Sequence, residues 1–274
     1  MIKIRQSGSP VANLSGKGSF FKRFYKQRSM HFIALLFVAW SIIFCYIPMS
    51  GIYMAFSDYN ITKSIYVSPF AGLKYFHQFL SDPNVWDALK NTLGISALHI
   101  VFGFPIPIIF ALLLNELVNV RFKRIIQTIS YLPHFVSWVI LGGFLINWTN
   151  ETGLINEILM NLHLIKEPLF LLGDPKYFWG TAVISGIWKE MGWGAIIYIA
   201  AIAGINPELY EAATVDGAGR FRKIFNITLP CIMGTLSILF IFTISGLLNS
   251  NFDQIFVLKN TLNASSSTVL DIYV

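Results

Sequence analysis

The sequence predicts an all-α membrane protein, a polytopic helical bundle, and three observations carry that prediction. Only 12% of the 274 residues are charged and 55% are hydrophobic, whereas a soluble domain has about 25% charged residues. Long apolar stretches at 31–56, 92–117, 125–148, 178–204 and 228–250 each supply the roughly 20 residues that a bilayer crossing needs. The connections between them alternate in basic content, as loops on opposite sides of a membrane do.

Residues 1–29 hold Lys3, Arg5, Lys17, Lys22, Arg23, Lys26 and Arg28 and no acid. Directly before a span, this places the N-terminus in the cytoplasm rather than marking a nucleic-acid arm. Phe20, Phe21, Phe24 and Tyr25 share one face of an expected interfacial helix. The run from 31 is too long for a cleaved signal's apolar core, and no small-residue cleavage site follows it. The first span ends near Asp58, Tyr59 and Asn60, and the loop 57–88 carries only Lys63 and Lys74 as cations before Lys90. Span two contains Pro105 and Pro107, and the following loop, 119–124, carries Arg121, Lys123 and Arg124. Span three is expected to cross once over 125–148, through Pro133, Gly142 and Gly143. Loop 149–177 has Lys166 and Lys176 among acids, and span four contains Gly186, Gly192 and Gly194, which permit close backbone approach. Span five follows a stretch, 205–226, with Arg220, Arg222 and Lys223. The basic loops are therefore cytoplasmic and the longer ones outside. Two parts result: the tail 1–29 and a transmembrane domain 30–274. Cys45 and Cys231 both lie in apolar runs and indicate no disulfide framework.

The stretch NPELYEAATVDGAGRFRKIF reads as a helix–turn–helix outside the bilayer. Asn206 is an N-cap, Pro207 suits the first helical position, Glu208 complements the helix dipole, and Gly217 suits a left-handed C-terminal cap. Ala212 and Ala213 leave the helix slim enough for a partner's groove, and Glu208, Glu211 and Asp216 can meet cations at its rim. An ordinary polar loop of good helix propensity would also read this way.

The same residues carry a family resemblance. The pattern EAA-x3-G-x9-I-x-LP is matched by Glu211, Ala212, Ala213, Gly217, Ile227, Leu229 and Pro230. A chance match is on the order of one in 10^8 per starting position. By this motif the chain resembles the membrane subunits of binding-protein-dependent ABC importers. The stretches YIPMSGIYMAFSDYN, SPFAGLKYF and INPELYEAATVDGAGRF resemble the sugar branch. FGFPIPIIFALLLNEL and SYLPHFVSWVI look like permeases for oligosaccharides and polysaccharide fragments, a group that includes alginate importers. The resemblance implies a maltose-permease-like helical core with a sixth helix beyond the five found here, so the chain is expected to be a truncated or partly represented permease. It also implies that loop 205–226 is a coupling helix, with Glu208, Glu211, Ala212, Ala213, Asp216, Gly217 and Arg220 receiving the motion of an ATPase. The implied partners are a second homologous permease chain, two ATP-binding subunits holding ATP and Mg, an extracytoplasmic solute-binding protein, a saccharide and membrane lipid. The implied location is the bacterial inner membrane.

No GxxxxGK[ST], HExxH or CxxC pattern occurs, so neither a catalytic residue nor a bound cofactor or metal is expected on this chain. His31, His77, His99, His134 and His163 are scattered and read as packed or interfacial. Polar groups at membrane depth face a wet cavity or a partner. Lys189 and Glu190 in span four either line the transport path or pair with the partner permease. Trp138, Trp188 and Trp193 could stack on sugar faces or simply pack, and Asn249, Asn251, Asp253 and Gln254, at the outer end of span five, could bind hydroxyls. An ion-coupled secondary transporter is the alternative; it would rely on Glu190 as a buried carboxylate.

Overall fold

The computed structural model describes residue 25, residues 27–60, residue 62 and residues 67–274. The interfacial helix expected around Phe20, Phe21 and Phe24 lies outside the described residues. Within them the chain is nearly all helical, with one isolated antiparallel bridge between Ser57 and Phe70. It divides into two compact units, between Phe79 and Leu80.

The first unit contains α1 (Arg28–Phe56), which is apolar all round with none of its hydrophobic window buried. It stops at Ser57, whose backbone is extended. Beyond it, Asp58 accepts hydrogen bonds from the Tyr75 hydroxyl and, at 2.9 Å, from the Lys74 ammonium at the start of α2 (Lys74–Ser81). These two donors, Tyr75 first, hold the Asp58 carboxyl below the usual carboxylate range.

The second unit contains α3 (Pro83–Asn115), α4 (Val120–Phe135), α5 (Trp138–Trp148), α6 (Leu154–Asn161), α7 (Pro175–Ala203), α8 (Pro207–Val215), α9 (Arg220–Ser245) and α10 (Phe252–Leu258). Asp82, Asp174 and Asn206 each cap a helix whose first residue is proline, their side chains accepting a backbone N–H of the first turn. Proline lacks the N–H that would otherwise be unpaired there, so cap and proline act together.

Among the described residues α1, α3 and α9 are long and apolar enough to cross a membrane, and α4 with α5 makes a fourth if the bent pair is one span. That pair covers the expected span over 125–148, which is broken rather than continuous. The two helices turn by 102° at the break. Pro133 removes a backbone donor, Val136 is extended, and the Ser137 hydroxyl accepts the Ile140 N–H to start a new helix. Helix α7 has 29 residues, about 44 Å at 1.5 Å per residue. Lys189 and Glu190 lower its apolarity, yet it buries residues along its whole length, from Phe178 to Ile202.

The three long apolar helices share a device. Each contains a π-helical turn ending two residues before a proline: Ile42–Tyr46 before Pro48, His99–Gly103 before Pro105, and Ile224–Thr228 before Pro230. A proline ring clashes with the carbonyl four residues earlier. The widened turn re-routes the hydrogen bonds, so the helix continues where it would otherwise kink or stop.

Two apolar clusters hold the second unit. One gathers Ile95, Trp138, Leu141, Phe178, Ile255 and Leu258, and the other Ala111, Ala195, Tyr198, Ile202 and Ile232. Both use α7, and between them its buried residues are Ser185, Gly186, Lys189 and Gly192. The polar segment 259–274 folds back on the ends of α3 and α7. Asn91 donates to the carbonyls of Ser265 and Thr268 at 2.9 Å, and Trp179 Nε1 donates to Ser266 at 3.1 Å. Asn263, fully buried, donates to the Leu172 and Leu258 carbonyls. The Tyr273 hydroxyl donates to Asp82 and, with the Asn84 N–H, holds that carboxyl below its usual range.

Candidate functional site

The gap between the two apolar clusters is where polar side chains converge. Lys189 lies on the same face of α7 as Gly186 and Gly192 (three residues apart) and is 6% exposed. Its ammonium donates to the His134 carbonyl at 2.8 Å and to Glu190 Oε1 at 3.2 Å. It also lies 5.5 Å from the centroid of the Trp138 ring, a cation–π distance. The three directions of this buried cation are thus occupied within the chain. Its bond to His134 satisfies a carbonyl freed where α4 breaks, which is how non-helical backbone at membrane depth becomes tolerable.

Glu190 is half-buried and its second oxygen lies 2.7 Å from His134 Nδ1. The His134 ring stacks on Trp193, with centroids 4.4 Å apart and planes within 2°, and Phe135 meets both edge-on. Helix α4 comes close enough for this because Gly192 has no side chain: a Cβ there would collide with the Ser130 carbonyl.

Trp138, Lys189, Glu190 and Trp193, four of the residues picked from sequence, therefore form one node. Glu190 is less buried than the sequence suggested. His134 and Phe135 belong to the node and were missed; the break signal, Pro133 followed by Ser137, could have found them. Trp188 is elsewhere, on a groove of about 390 Å³ with Leu145, Trp148, Ile155, Leu171 and Ile184. The hydroxyls beside that groove, on Thr149, Thr181 and Ser185, all donate to carbonyls of their own helices. Of the residues picked after span five, Asn251 donates its N–H to Asn249 Oδ1 at 3.3 Å and its side-chain amide to Gln254 Oε1 at 3.4 Å. Helix α9 ends at Ser245; Asn249, Asn251 and Asp253 are exposed. Gln254 is buried, donating to the Ala182 carbonyl at 2.6 Å and to Ser185 at 3.0 Å.

The second candidate element joins α7 to α9. Asn206 accepts the Glu208 N–H at 3.1 Å and begins α8. Gly217, at φ +75°, ends it. The Ala218 N–H reaches the Ala213 carbonyl at 2.8 Å and the Gly217 N–H the Thr214 carbonyl at 3.1 Å, the paired bonds of a Schellman cap. Lys223 donates to Thr214 Oγ1 at 2.7 Å, Tyr210 and Thr228 share a 2.9 Å hydrogen bond, and Arg220 lies 3.8 Å from Glu116 at the end of α3. The predicted second short helix is the first turn of α9 itself. Glu208, Glu211, Ala212 and Asp216 are exposed and Ala213 is half-buried. Val215 and Phe221 are 88% and 78% exposed, an apolar display that a merely solvated linker does not need.

Residues 103–259 match the family described as binding-protein-dependent transport system inner membrane component. Protein LplB of Bacillus subtilis (strain 168) is 40% identical over 272 residues, covering 98% of this chain and 85% of that protein. The polygalacturonan/rhamnogalacturonan transport system permease protein YteP of the same organism is 38% identical, covering 91% and 77%. A chain of a crystallised bacterial ABC transporter involved in the import of the acidic polysaccharide alginate superposes with a TM-score of 0.84 at 35% identity, covering 93% of this chain and 85% of that one.

Proposed function

The chain belongs to the family of binding-protein-dependent transport system inner membrane components, and from this we infer that it is a permease subunit that imports oligosaccharides or polysaccharide fragments at the expense of ATP. It works with a second homologous permease chain, two ATP-binding subunits that hold ATP and Mg, and a solute-binding protein that delivers the saccharide. The observation that carries the reading is the capped, exposed element 205–226 between α7 and α9, on a chain whose relatives are saccharide permeases. A related alginate transporter has been crystallised with an alginate pentasaccharide-bound periplasmic protein, which supports the expectation of a binding-protein partner.

In this reading the N-terminus, the loop 119–124 and the element 205–226 are cytoplasmic, and residues 30–274 form one transmembrane domain preceded by the basic tail 1–29. Helix α8 docks on an ATP-binding subunit through its slim alanine face, with Glu208, Glu211, Asp216 and Arg220 at the rim. The Schellman cap and the Lys223–Thr214 and Tyr210–Thr228 bonds make α8 and the base of α9 one lever. Closure of the ATP-binding subunits moves that lever, and α7 carries the motion as a continuous rod to the node at Lys189, because packed elements move as units. At the node Trp193 and Glu190 meet the saccharide, the carboxylate accepting from sugar hydroxyls. Trp138 and Lys189 hold the shape of the path. Trp188, Asn249, Asp253 and Gln254 have less support as contacts, given where they lie.

The test is the assembled complex in lipid, with ATP hydrolysis measured as saccharide-loaded binding protein is added. Stimulation by an oligosaccharide is expected, and Gly217→Pro or Ala213→Trp should abolish it while leaving ATP binding to the partner subunits unchanged. If either variant transports normally, α8 is not the coupling element.

A further inference from the structure

We infer that the outward face of α4 binds an anionic phospholipid, its phosphate at Arg121 and Arg124 and an acyl chain along Phe122, Ile125 and Ile129. The first five residues of α4 hold Arg121, Lys123 and Arg124 and no acid. Cations belong at the C-terminal end of a helix, since the N-terminal end already carries partial positive charge. Asn119 accepts the Arg121 and Phe122 N–H groups, but as a neutral amide it does nothing for the excess charge. Among the described residues no acid pairs with any of the three cations. Glu116, close by in sequence, lies 3.8 Å from Arg220 instead. The positive charge at this helix end is therefore left for an anion from outside the chain.

The geometry selects the kind of anion. Ser130 packs against Gly192 of α7, and Ile126 and Gln127 are half-buried, so that side of α4 faces inward. On the opposite side Phe122, Ile125 and Ile129 are 51%, 56% and 65% exposed. They recur at i, i+3 and i+7, one stripe on a helix, and Arg121, four residues before Ile125, lies beside its beginning with Arg124 next to it around the helix. Cations at the start of the helix with an apolar stripe leading away from them, on a helix that makes a fourth membrane span with α5 if the bent pair is one span, match a phosphate headgroup with its hydrocarbon chain. An acidic protein surface would need no such stripe.

The experiment uses the chain in the assembly in which it is expressed, exchanged into nanodiscs of phosphatidylcholine alone or mixed equally with phosphatidylglycerol. Native mass spectrometry then reads the lipids retained. Phosphatidylglycerol is expected to be retained in preference to phosphatidylcholine. Each cation removed in Arg121→Gln, Arg124→Gln and the triple variant with Lys123→Gln should lower that preference about fivefold. The single variants decide the matter if the triple one does not assemble. A Lys166→Gln/Lys176→Gln control should keep the preference, and a photocrosslinker at Ile129 should capture phospholipid. Equal retention of the two lipids by the wild type, an unchanged preference in the variants, an equal fall in the control, or capture of a protein subunit at Ile129 would each overturn the proposal.

Discussion

Gly217 sits at φ +75° with open space where a Cβ would be, so what it contributes is backbone freedom rather than room. A non-glycine residue in this conformation costs about 1–2 kcal/mol. Gly217→Ala should therefore loosen the end of α8 and speed hydrogen exchange at the Gly217 and Ala218 amides, whereas Gly217→Asn should be milder because asparagine tolerates the left-handed region. Equal exchange in the alanine variant and the wild type would show that the cap is held by something else. At Lys189 the argument is about a buried partner. Lys189→Met removes the donor to the His134 carbonyl and leaves that acceptor unsatisfied at the break, a loss of about 1–3 kcal/mol. Melting of the detergent-purified complex should fall accordingly. The double variant Lys189→Met/Glu190→Gln should lose less than the sum of the two single changes, because removing both members of a coupled pair leaves less charge unpaired.

At the scale of elements, the packing of α4 on α7 depends on one missing side chain. Gly192→Ala places a Cβ against the Ser130 backbone, which cannot give way like a side chain, and should destabilise by about 1–3 kcal/mol. Gly143, on the exposed side of α5 with nothing within reach, should accept alanine without loss and even gain up to about 1 kcal/mol in helix propensity. If thermal melting ranks the two substitutions the other way, the α4–α7 contact is not set by Gly192. The π-turns before Pro48, Pro105 and Pro230 belong to this scale as well. The prolines are plain in the sequence, but the bonds that let each helix continue past its proline are properties of the folded helix.

For the molecule as a whole the question is what drives transport. Uptake of a labelled saccharide by cells carrying the full transporter should survive a protonophore and fall more than tenfold when ATP is depleted, since ATP hydrolysis is the proposed energy source. The opposite pattern would favour the ion-coupled alternative. In that alternative Glu190, whose two carboxylate oxygens face Lys189 and His134, would be the group that loads and releases the ion. The apolar stretches, the capped start at Asn206 and the loop 205–226 were all legible from sequence, because each rests on local composition or on spacing within a few residues. The break in span three was not: Pro133 followed by Ser137 marks it locally, but prolines are tolerated inside spans, so the sequence does not say that the helix turns there. The candidate site was half legible: Lys189 and Glu190 stand out as charges in an apolar run, while nothing local ties them to His134.

By itself the sequence determined an apolar helical chain of the permease type with a capped family motif between two of its helices. Hydrophobicity, caps and motif spacing are short-range properties, so they survive being read in one dimension. Only the tertiary structure decided which side chains meet. The Lys189 and Glu190 contacts with His134 span 55 and 56 residues of chain, a separation that only the close packing of α4 on α7 can bridge. Trp188 points away from the node because a helix presents neighbouring residues about 100° apart around its axis, and Gln254 is turned inward by its bonds to Ala182 and Ser185 of α7.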